Sequence, residues 1–355
     1  MFMIALLLLL LGYSLGTSPP EEVPREYLDR FTMGQLIPVE SYYVDDSNEG
    51  KGTHYKYSFS YITRMIEETI PQQVQFLRDR NFAPDVIQEN VPSMASLFED
   101  RKGWQERLEA LFMTVIHKNY WPLTAMLHHA HLFRGAKVAV FGSVDPYYEA
   151  IALYLGAEEV TTFEYNELTF GSGENDENGE NSHPLDVVCG DRYTAMIDAA
   201  STNGDDSNND DSTNLDLQHY RGHFDIALSL SSFDHSGLGR YGDTIDPDAD
   251  LAAMAFVRTV LKNENGRLFL TIPIGPDAVV WNLQRRYGQQ RLPLLLDAFF
   301  RPFSSDSTEE TCDTADNEGS VLSPFDIVTI GWDENKLTQS ADYRKTYEPI
   351  LLLNV

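Results

Sequence analysis

Between residues 136 and 274, short apolar runs alternate with amphipathic stretches. Lys137-Val138-Ala139-Val140-Phe141 reads as a buried strand. Pro146 then opens a helical stretch that runs to Leu155, and Gly156 follows its end. That is the order of proline and glycine that helices favour. Val160-Thr161-Thr162-Phe163 is the next strand, Asp186-Val187-Val188-Cys189 a third, 224–230 a fourth and 267–272 a fifth. Before the fifth, residues 250–261 form an amphipathic helix with Asp248 or Asp250 placed to cap it. Strands alternating with helices predict a parallel sheet with right-handed crossovers. The fold class is therefore α/β, a Rossmann-like, mostly parallel sheet. Residues 292–300, 325–330 and 350–354 are candidates for the last strands, with a helix over 278–287 before them.

The rest of the chain has other rhythms. Residues 17–54 read as an extended segment. Residues 55–133 read as a helical lead-in, with Trp104, Leu108, Leu111, Phe112 and Val115 at helical spacing. Pro71, Pro84, Pro92 and Pro122 divide that lead-in into several helices. The α/β domain, 134–355, is interrupted near 166–182, 201–216 and 304–320. These stretches are rich in Asp, Glu, Asn, Ser and Gly and read as disordered surface insertions.

Charge narrows the function. The 355 residues carry a formal net charge of −29, much of it in those insertions. The remainder shows no basic stripe, which excludes a nucleic-acid partner, because phosphates need clustered Lys and Arg. Residues 1–16 are apolar to Leu11, with Ser14 and Gly16 before a plausible cleavage point. They read as a secretory signal peptide, with an uncleaved signal anchor as the alternative. The run is shorter than the roughly 20 residues of a membrane span, and no other segment offers one. The expected location is the secretory pathway, secreted or in the endoplasmic-reticulum or Golgi lumen. Such a compartment permits a disulfide between Cys189 and Cys312, the only cysteines, although nothing in their spacing shows proximity. No metal site is expected. Asp246, Asp248 and Asp250 alternate like the start of a calcium loop, but Leu251 and Val257 stand where its glycine and glutamate belong.

Candidate chemistry gathers at successive strand ends. Gly142 and Ser143 follow the first strand, where glycine lets the backbone turn and approach a ligand. Glu164 ends the second strand, placed to accept ribose hydroxyls, and Asp191 follows the third, placed to meet an adenine amino group. Asp234 and His235 follow the fourth. Each has a structural alternative: a tight turn for Gly142, a solvated acid for Glu164, a helix cap for Asp191. In the loop that follows, His235 or Asp234 could serve as general base on a hydroxyl, and Arg240 with Asp243 could hold a substrate. The structural alternative there is a loop held by its own acids, with Arg240 paired to one of them. The first loop has one glycine and no neighbouring Lys or Arg, so it serves a diphosphate poorly.

The succession of 138–141, Gly142, Glu164, Asp191 and the fourth strand resembles the motifs of class I S-adenosylmethionine (SAM) methyltransferases. Gly142-Ser143-x-x-Pro146-x-x-Glu149-Ala150, Glu164-Tyr165-Asn166 and the long string from Ser231 to Asp248 resemble an uncharacterised family, domain of unknown function 268, over about 137–296. The resemblance implies SAM as cofactor, held by Gly142, Ser143, Glu164 and Asp191. It implies His235 and Asp234 as catalytic residues beside a small-molecule or glycan acceptor, with Arg240 and Asp243 binding that substrate. SAM carries a sulfonium and no phosphate, which suits the acidic loop. The loop departs from the family pattern in its single glycine. Two alternatives stand: a catalytically inactive secreted binding protein on the same fold, and an NAD-linked oxidoreductase.

Overall fold

The computed structural model describes residues 19–48, 52–79, 120–171, 184–201, 211–301, 327–330, 332–339 and 347–355. α1 (Arg25–Phe31) and β1 (Val39–Ser41) come first, then β2 (His54–Ser58) and α2 (Phe59–Arg64). A π turn, Met65–Thr69, joins α2 to α3 (Ile70–Arg78). α4 (Tyr120–His128) and α5 (Ala130–Phe133) lead into β3 (Lys137–Phe141), α6 (Tyr147–Tyr154), β4 (Glu159–Glu164) and β5 (Glu167–Gly171). β6 (Leu185–Cys189), α7 (Gly190–Ser201), α8 (Asp211–Tyr220), β7 (Ile226–Leu230), α9 (Ala249–Val260) and β8 (Arg267–Thr271) follow. The chain ends with β9 (Ala278–Trp281), β10 (Gln284–Arg286), α10 (Arg291–Phe300), β11 (Ile327–Ile330) and β12 (Ile350–Asn354).

Seven strands form the main sheet in the order β11-β12-β8-β7-β3-β4-β6. The five from β8 to β6 run parallel, while β12 is antiparallel to both β8 and β11. Both faces are covered, which is why the central strands read as continuous apolar runs. On β3, Val138 and Val140 pack into the core that includes Val74, Leu123 and Ile151, from α3, α4 and α6. Ala139 and Phe141 point the other way, into the core that includes Met196, Phe256 and Leu295, from α7, α9 and α10. The five strands expected between 137 and 272 and the helices between them are all present.

Several elements differ from expectation, each for a packing reason. Residues 278–287 form a hairpin, not a helix. Val279, Val280 and Trp281 are good strand formers, and β1 supplies an edge for β9 with Val39 opposite Val279. Residues 292–300 form a helix, not a strand, because Leu292, Leu295 and Phe299 recur at helical spacing and bury one face. The segment expected to be extended contains α1, whose Phe31 packs edge-on against Trp281 at 5.5 Å. β2 occupies the start of the helical lead-in and pairs in parallel with β5, which lies inside the first expected insertion. Part of the second insertion forms α8. Residues 1–16, Trp104 to Val115, Cys312 and 304–320 lie outside the described residues. Among the described residues, no helix is long and apolar enough to cross a membrane.

Candidate functional site

The sheet reverses its winding between β3 and β7, and open α/β sheets bind ligands at the carboxyl ends of the strands on either side of such a point. Gly142 leaves β3 with φ +73°, in the left-handed region. A side chain there would overlap the Ser232 hydroxyl and lie 2.8 Å from Ser232 Cβ, so glycine lets the loops after β3 and β7 touch. The next amide, Ser143 N–H, donates to Glu164 Oε2 at 2.8 Å. Asn166 donates to Glu164 Oε1 through its backbone N–H (3.0 Å) and its side-chain amide (3.3 Å). Burial raises the Glu164 carboxyl above its ordinary range, against the pull of these donors. The structure thus brings Gly142, Ser143 and Glu164 together, bonded to one another.

Two spaces flank the first loop. The larger, about 730 Å³, opens at the ends of β3 and β7 beneath α2, the π turn and α3. It lies within the range of about 300–1,000 Å³ of small-molecule pockets. Tyr61, Arg64, Glu68, Gln73, Asp145, Tyr147, Tyr148 and Ser231 are among its lining residues. The smaller, about 70 Å³, is lined by Glu164, Asn166, Ser232, His235, Tyr241 and Asp243 among others. The segment around β1 and β2 spans these loops. Asp46 takes a bond from Arg240 Nε at 2.7 Å, Thr53 N–H donates to Asn166 Oδ1 at 3.0 Å, and the Tyr57 hydroxyl donates to the Val144 carbonyl.

The acids here make no ion pair with Lys or Arg among the described residues. Glu149, in the first turn of α6, is fully buried, and its carboxyl is pushed up to about 7 by burial, with Ser143 and Thr162 acting against it. Thr162 Oγ1 donates to its Oε1 at 2.8 Å, while Oε2 has no hydrogen bond of normal geometry. Burial likewise pushes Asp234 up to about 6, and its Oδ1 has no partner. Asp145 lines the larger cavity with solvent on one side, and enclosure raises its carboxyl too, against a long 3.4 Å bond from the Tyr61 hydroxyl. Among the described residues, Asp145, Glu149, Glu164 and Asp234 make no ion pair with Lys or Arg. No described group of His, Cys, Asp and Glu has the makings of a metal site.

The remaining expected site residues serve the loop after β7. His235 Nδ1 lies 2.5 Å from the Leu283 carbonyl, and Nε2 lies 3.4 Å from Asp234 Oδ2. Donation by Nδ1–H sets the tautomer and turns Nε2 toward Asp234. Asp243 accepts the N–H groups of Gly239 and Tyr241, each at 3.2 Å. Arg240 pairs with Asp46 and lies 4.8 Å from the Tyr241 ring centre. Asp191 stands exposed in the first turn of α7 and lines neither space.

Asp250, expected as a capping acid, is instead wholly buried. It accepts from Arg291 (2.5 and 3.1 Å) and the Tyr287 hydroxyl (3.0 Å). Burial pushes its carboxyl upward, but Arg285 and Arg291 outweigh burial and hold it below its ordinary range. Arg285 also binds the carbonyls of Ser236, Asp246 and Pro247. Sequence reasoning passed over the cavity tyrosines, Glu149 (quoted in a motif, given no role), and Glu348, which accepts from the Ser231 hydroxyl. Ser231 itself stands at φ +55°, an uncommon angle for a non-glycine residue at a strand end. Tyr147 and Tyr148, directly after Pro146, were the available signal.

With its strands numbered in order, the main sheet reads 3-2-1-4-5-7-6 with the seventh antiparallel, and a glycine turn and an acid end the first two. This is the Rossmann-like fold of class I methyltransferases. The model of the family described as Caenorhabditis protein of unknown function, DUF268, matches residues 208–320, from α8 through α10 and beyond. The match begins later than the expected resemblance and includes the whole Ser231-to-Asp248 string. No curated protein matches the chain in sequence. Among solved structures, the chain is similar to the Burkholderia thailandensis 1,6-didemethyltoxoflavin-N1-methyltransferase with bound 1,6-didemethyltoxoflavin and S-adenosylhomocysteine. That likeness has 15% identity over 76% of this chain and 92% of that one, with a TM-score of 0.36. A Mesorhizobium loti S-adenosylmethionine-dependent methyltransferase is similar at 11% identity over 65% and 98%, with a TM-score of 0.30. The cyclase SpnF is similar at 18% identity over 74% and 73%, with a TM-score of 0.29.

Proposed function

We propose that the chain binds SAM at the ends of β3, β4 and β7, and that it is a methyltransferase-like protein of the secretory pathway acting on a small-molecule acceptor. The observation that carries this reading is the set of acids at these strand ends that make no ion pair with Lys or Arg: Asp145 and Glu164 line the two spaces, while Glu149 and Asp234 line neither and are buried next in the chain to the lining residues Tyr148 and His235. A carboxyl whose ionisation is opposed by burial gains most from meeting a positive charge. At 4 Å such a pair is worth about 4 kcal/mol at an effective dielectric near 20. SAM brings a sulfonium and an ammonium, whereas the diphosphate of NAD would be repelled. When bound, SAM supplies an activated methyl group. Glu164 Oε2 accepts one bond in the structure and has a lone pair left for a ribose hydroxyl. Asp145 suits the ammonium end. The space beside Glu164, about 70 Å³, is smaller than a nucleoside site needs, so Asn166 and the Thr53 segment bonded to it must yield on binding.

A second reading, a binding protein on the same fold, is favoured by one feature. Both ring nitrogens of His235 are engaged, and Arg240 and Asp243 hold the loop, so the expected base and clamp are occupied.

Calorimetry of the full chain at pH 8 tests the site. SAM should bind more tightly than S-adenosylhomocysteine, which lacks the sulfonium charge, and NAD should not bind. Glu164→Gln should weaken SAM about tenfold or more. Affinity for SAM should rise from pH 5 to pH 8 as Asp234 and Glu149 ionise. Absence of SAM binding, or a preference for NAD, ends this reading. If SAM binds, a methyl-transfer assay on a metabolite and glycan panel separates enzyme from binding protein. Finding the protein in cells only in the cytosol, with residues 1–16 retained, would overturn the location.

A further inference from the structure

We infer that Glu149 is a positioning residue that works as a proton switch on the first loop. The Ser143 hydroxyl donates to the Asp145 carbonyl while Glu149 carries a proton, and turns to Glu149 when that proton leaves. One buried proton then decides whether the loop after β3 is tied down. This is regulation of the proposed SAM site, and its consequence for SAM rests on that reading; the turning of the loop does not.

The hydrogen bonds around Glu149 run in one direction. Thr162 Oγ1 donates to Glu149 Oε1 at 2.8 Å, and the Ser143 hydroxyl donates to the Asp145 carbonyl at 3.2 Å. Ser143 is the other side chain that acts on Glu149, yet Oε2 receives no hydrogen bond of normal geometry. Glu149 is wholly buried, and an enclosed carboxylate oxygen without a donor is costly. A proton on Oε2 removes that cost, because the O–H can donate to Ser143 Oγ, which keeps lone pairs free while its own hydrogen is spent elsewhere. The series from Thr162 through Glu149 and Ser143 to the Asp145 carbonyl is then complete. Once ionised, Glu149 only accepts, and the hydroxyl hydrogen on hand is that of Ser143. Turning it to Oε2 takes one bond from the Asp145 carbonyl, which keeps the Tyr147 N–H at 2.6 Å. The Ser143 N–H stays on Glu164 Oε2 at 2.8 Å, so the half of the loop at β4 is held in both states and the Val144–Asp145 half is loosened in one.

The surroundings place this proton within reach of neutral pH. Burial pushes Glu149 up to about 7, and Asp145 from the first loop adds to it. Tyr57 from β2 and Tyr148 from α6 itself also face this charge, and Glu164 stands across Ser143. Arg64 of α2 and Glu68 of the π turn line the larger cavity, which Glu149 does not. α3 meets α6 through Gln73, which accepts from the Tyr147 hydroxyl at 2.6 Å. α4 has no Asp, Glu, Lys or Arg, and only His128 at its last position. Both forms are therefore populated near pH 7. A cation settling by the loop favours the ionised one and expels the proton.

Hydrogen exchange of the unliganded full chain tests the switch, read by mass spectrometry on residues 142–148 and corrected for the intrinsic effect of pH. Protection should fall about fivefold between pH 6 and pH 8, as for the loss of one hydrogen bond. Glu149→Gln fixes the neutral arrangement, with its amide donating to Ser143, and should keep the low-pH protection throughout. Ser143→Ala has no hydroxyl to turn and should show the weaker protection at both pH values. Asp234→Asn removes the other strongly raised carboxyl and should leave the step in place. A parent without a step between pH 5 and pH 9, or a step that survives Glu149→Gln or Ser143→Ala, would overturn the inference. Calorimetry in buffers of different ionisation enthalpy measures the link to SAM: binding at pH 7 should release protons, and fewer from Glu149→Gln. Equal release from both would overturn that link. An exchange step without SAM binding would defeat the proposed function and leave the switch standing, and SAM binding without the step would do the reverse.

Discussion

Among the described residues two groups of acids are buried, and they are buried differently. Asp250, between α9 and α10, is fully enclosed with Arg285 and Arg291 around it and is held below its ordinary carboxyl range. Glu149 and Asp234, at the winding reversal of the sheet, are equally enclosed with no Lys or Arg paired to them, only His235 standing 3.4 Å from Asp234, and are pushed up to about 7 and about 6. The first arrangement is complete in itself. With Asp248, which Arg291 also meets at 3.3 Å, two carboxylates face two guanidiniums, and the cluster fastens the loop after β7 to the β9–β10 hairpin and α10. The second is incomplete and gains by meeting something positive. The difference separates the acid that fastens the Ser231-to-Asp248 string, Asp250, from the acids beside the proposed SAM site, Glu149 and Asp234.

The largest effect should come from breaking the complete arrangement. Arg291→Met leaves Asp250 buried beside a single arginine, Arg285, whose Nε lies 3.8 Å away. Removing one partner of a buried pair destabilises by about 3–5 kcal/mol. Urea unfolding should show that loss, and the double variant Arg291→Met with Asp250→Leu should recover part of it because no carboxylate is stranded and Arg285 keeps the carbonyls of Ser236, Asp246 and Pro247. The pH dependence has a definite sign. A carboxyl held low in the folded state stabilises at pH values above its unfolded pKa, near 3.9, and the contribution disappears as pH falls through the folded value. Arg291→Met should therefore lose stability mainly at neutral pH and little at strongly acid pH. A loss that persists unchanged below pH 3 would mean that packing, not charge, holds the corner.

The incomplete arrangement should respond in the opposite direction. Glu149 has a folded carboxyl near 7 against about 4.3 for an unfolded chain. A raised carboxyl favours the folded state below the unfolded value, and that advantage drains away as pH rises toward the folded one. Above pH 7 the folded protein carries a penalty on the order of 3 kcal/mol. Glu149→Gln keeps the shape and the Thr162 bond and removes the charge. Thermal unfolding should show the variant more stable than the parent at pH 8 and equal to it near pH 4. A variant less stable at pH 8 would show that the Glu149 charge is already compensated.

How much of this was legible follows the same division. The parallel core was written plainly, because strands covered on both faces, such as Val138 to Phe141, must be apolar throughout. Gly142, Ser143 and Glu164 were legible as neighbours, because strand ends in such sheets converge. The hairpin at 278–287 was not, because its strand character depends on β1, more than two hundred residues earlier. The pairing of Asp250 was hidden for the same reason: an acid near a helix start reads as a local cap, and its arginines arrive from β10 and α10. The cavity tyrosines come from two separate regions, α2 and α6, and no local pattern joins them. Long-range packing decides these cases, and a period of two or 3.6 residues carries no information about it.

The smallest expected effect sharpens the comparison with a third kind of pair. Arg240 meets Asp46 at 2.7 Å, as short a bond as any at Asp250 save one, yet the Asp46 side chain is 42% exposed. Pairs that solvent reaches on one side contribute about 0–1 kcal/mol and weaken with salt. The backbone bond from Asp46 N–H to the Arg240 carbonyl, at 3.0 Å, also survives loss of the carboxylate. Asp46→Asn should therefore cost less than about 1 kcal/mol in urea unfolding, and the difference from the parent should shrink further in 1 M sodium chloride. The two pairs have bonds of comparable length, 2.7 Å against 2.5 and 3.1 Å; their enclosure differs. If Asp46→Asn proved as damaging as Arg291→Met, distance alone would set the strength of these contacts, and burial could no longer explain why the Asp250 pair holds the fold while the Asp46 pair adds little.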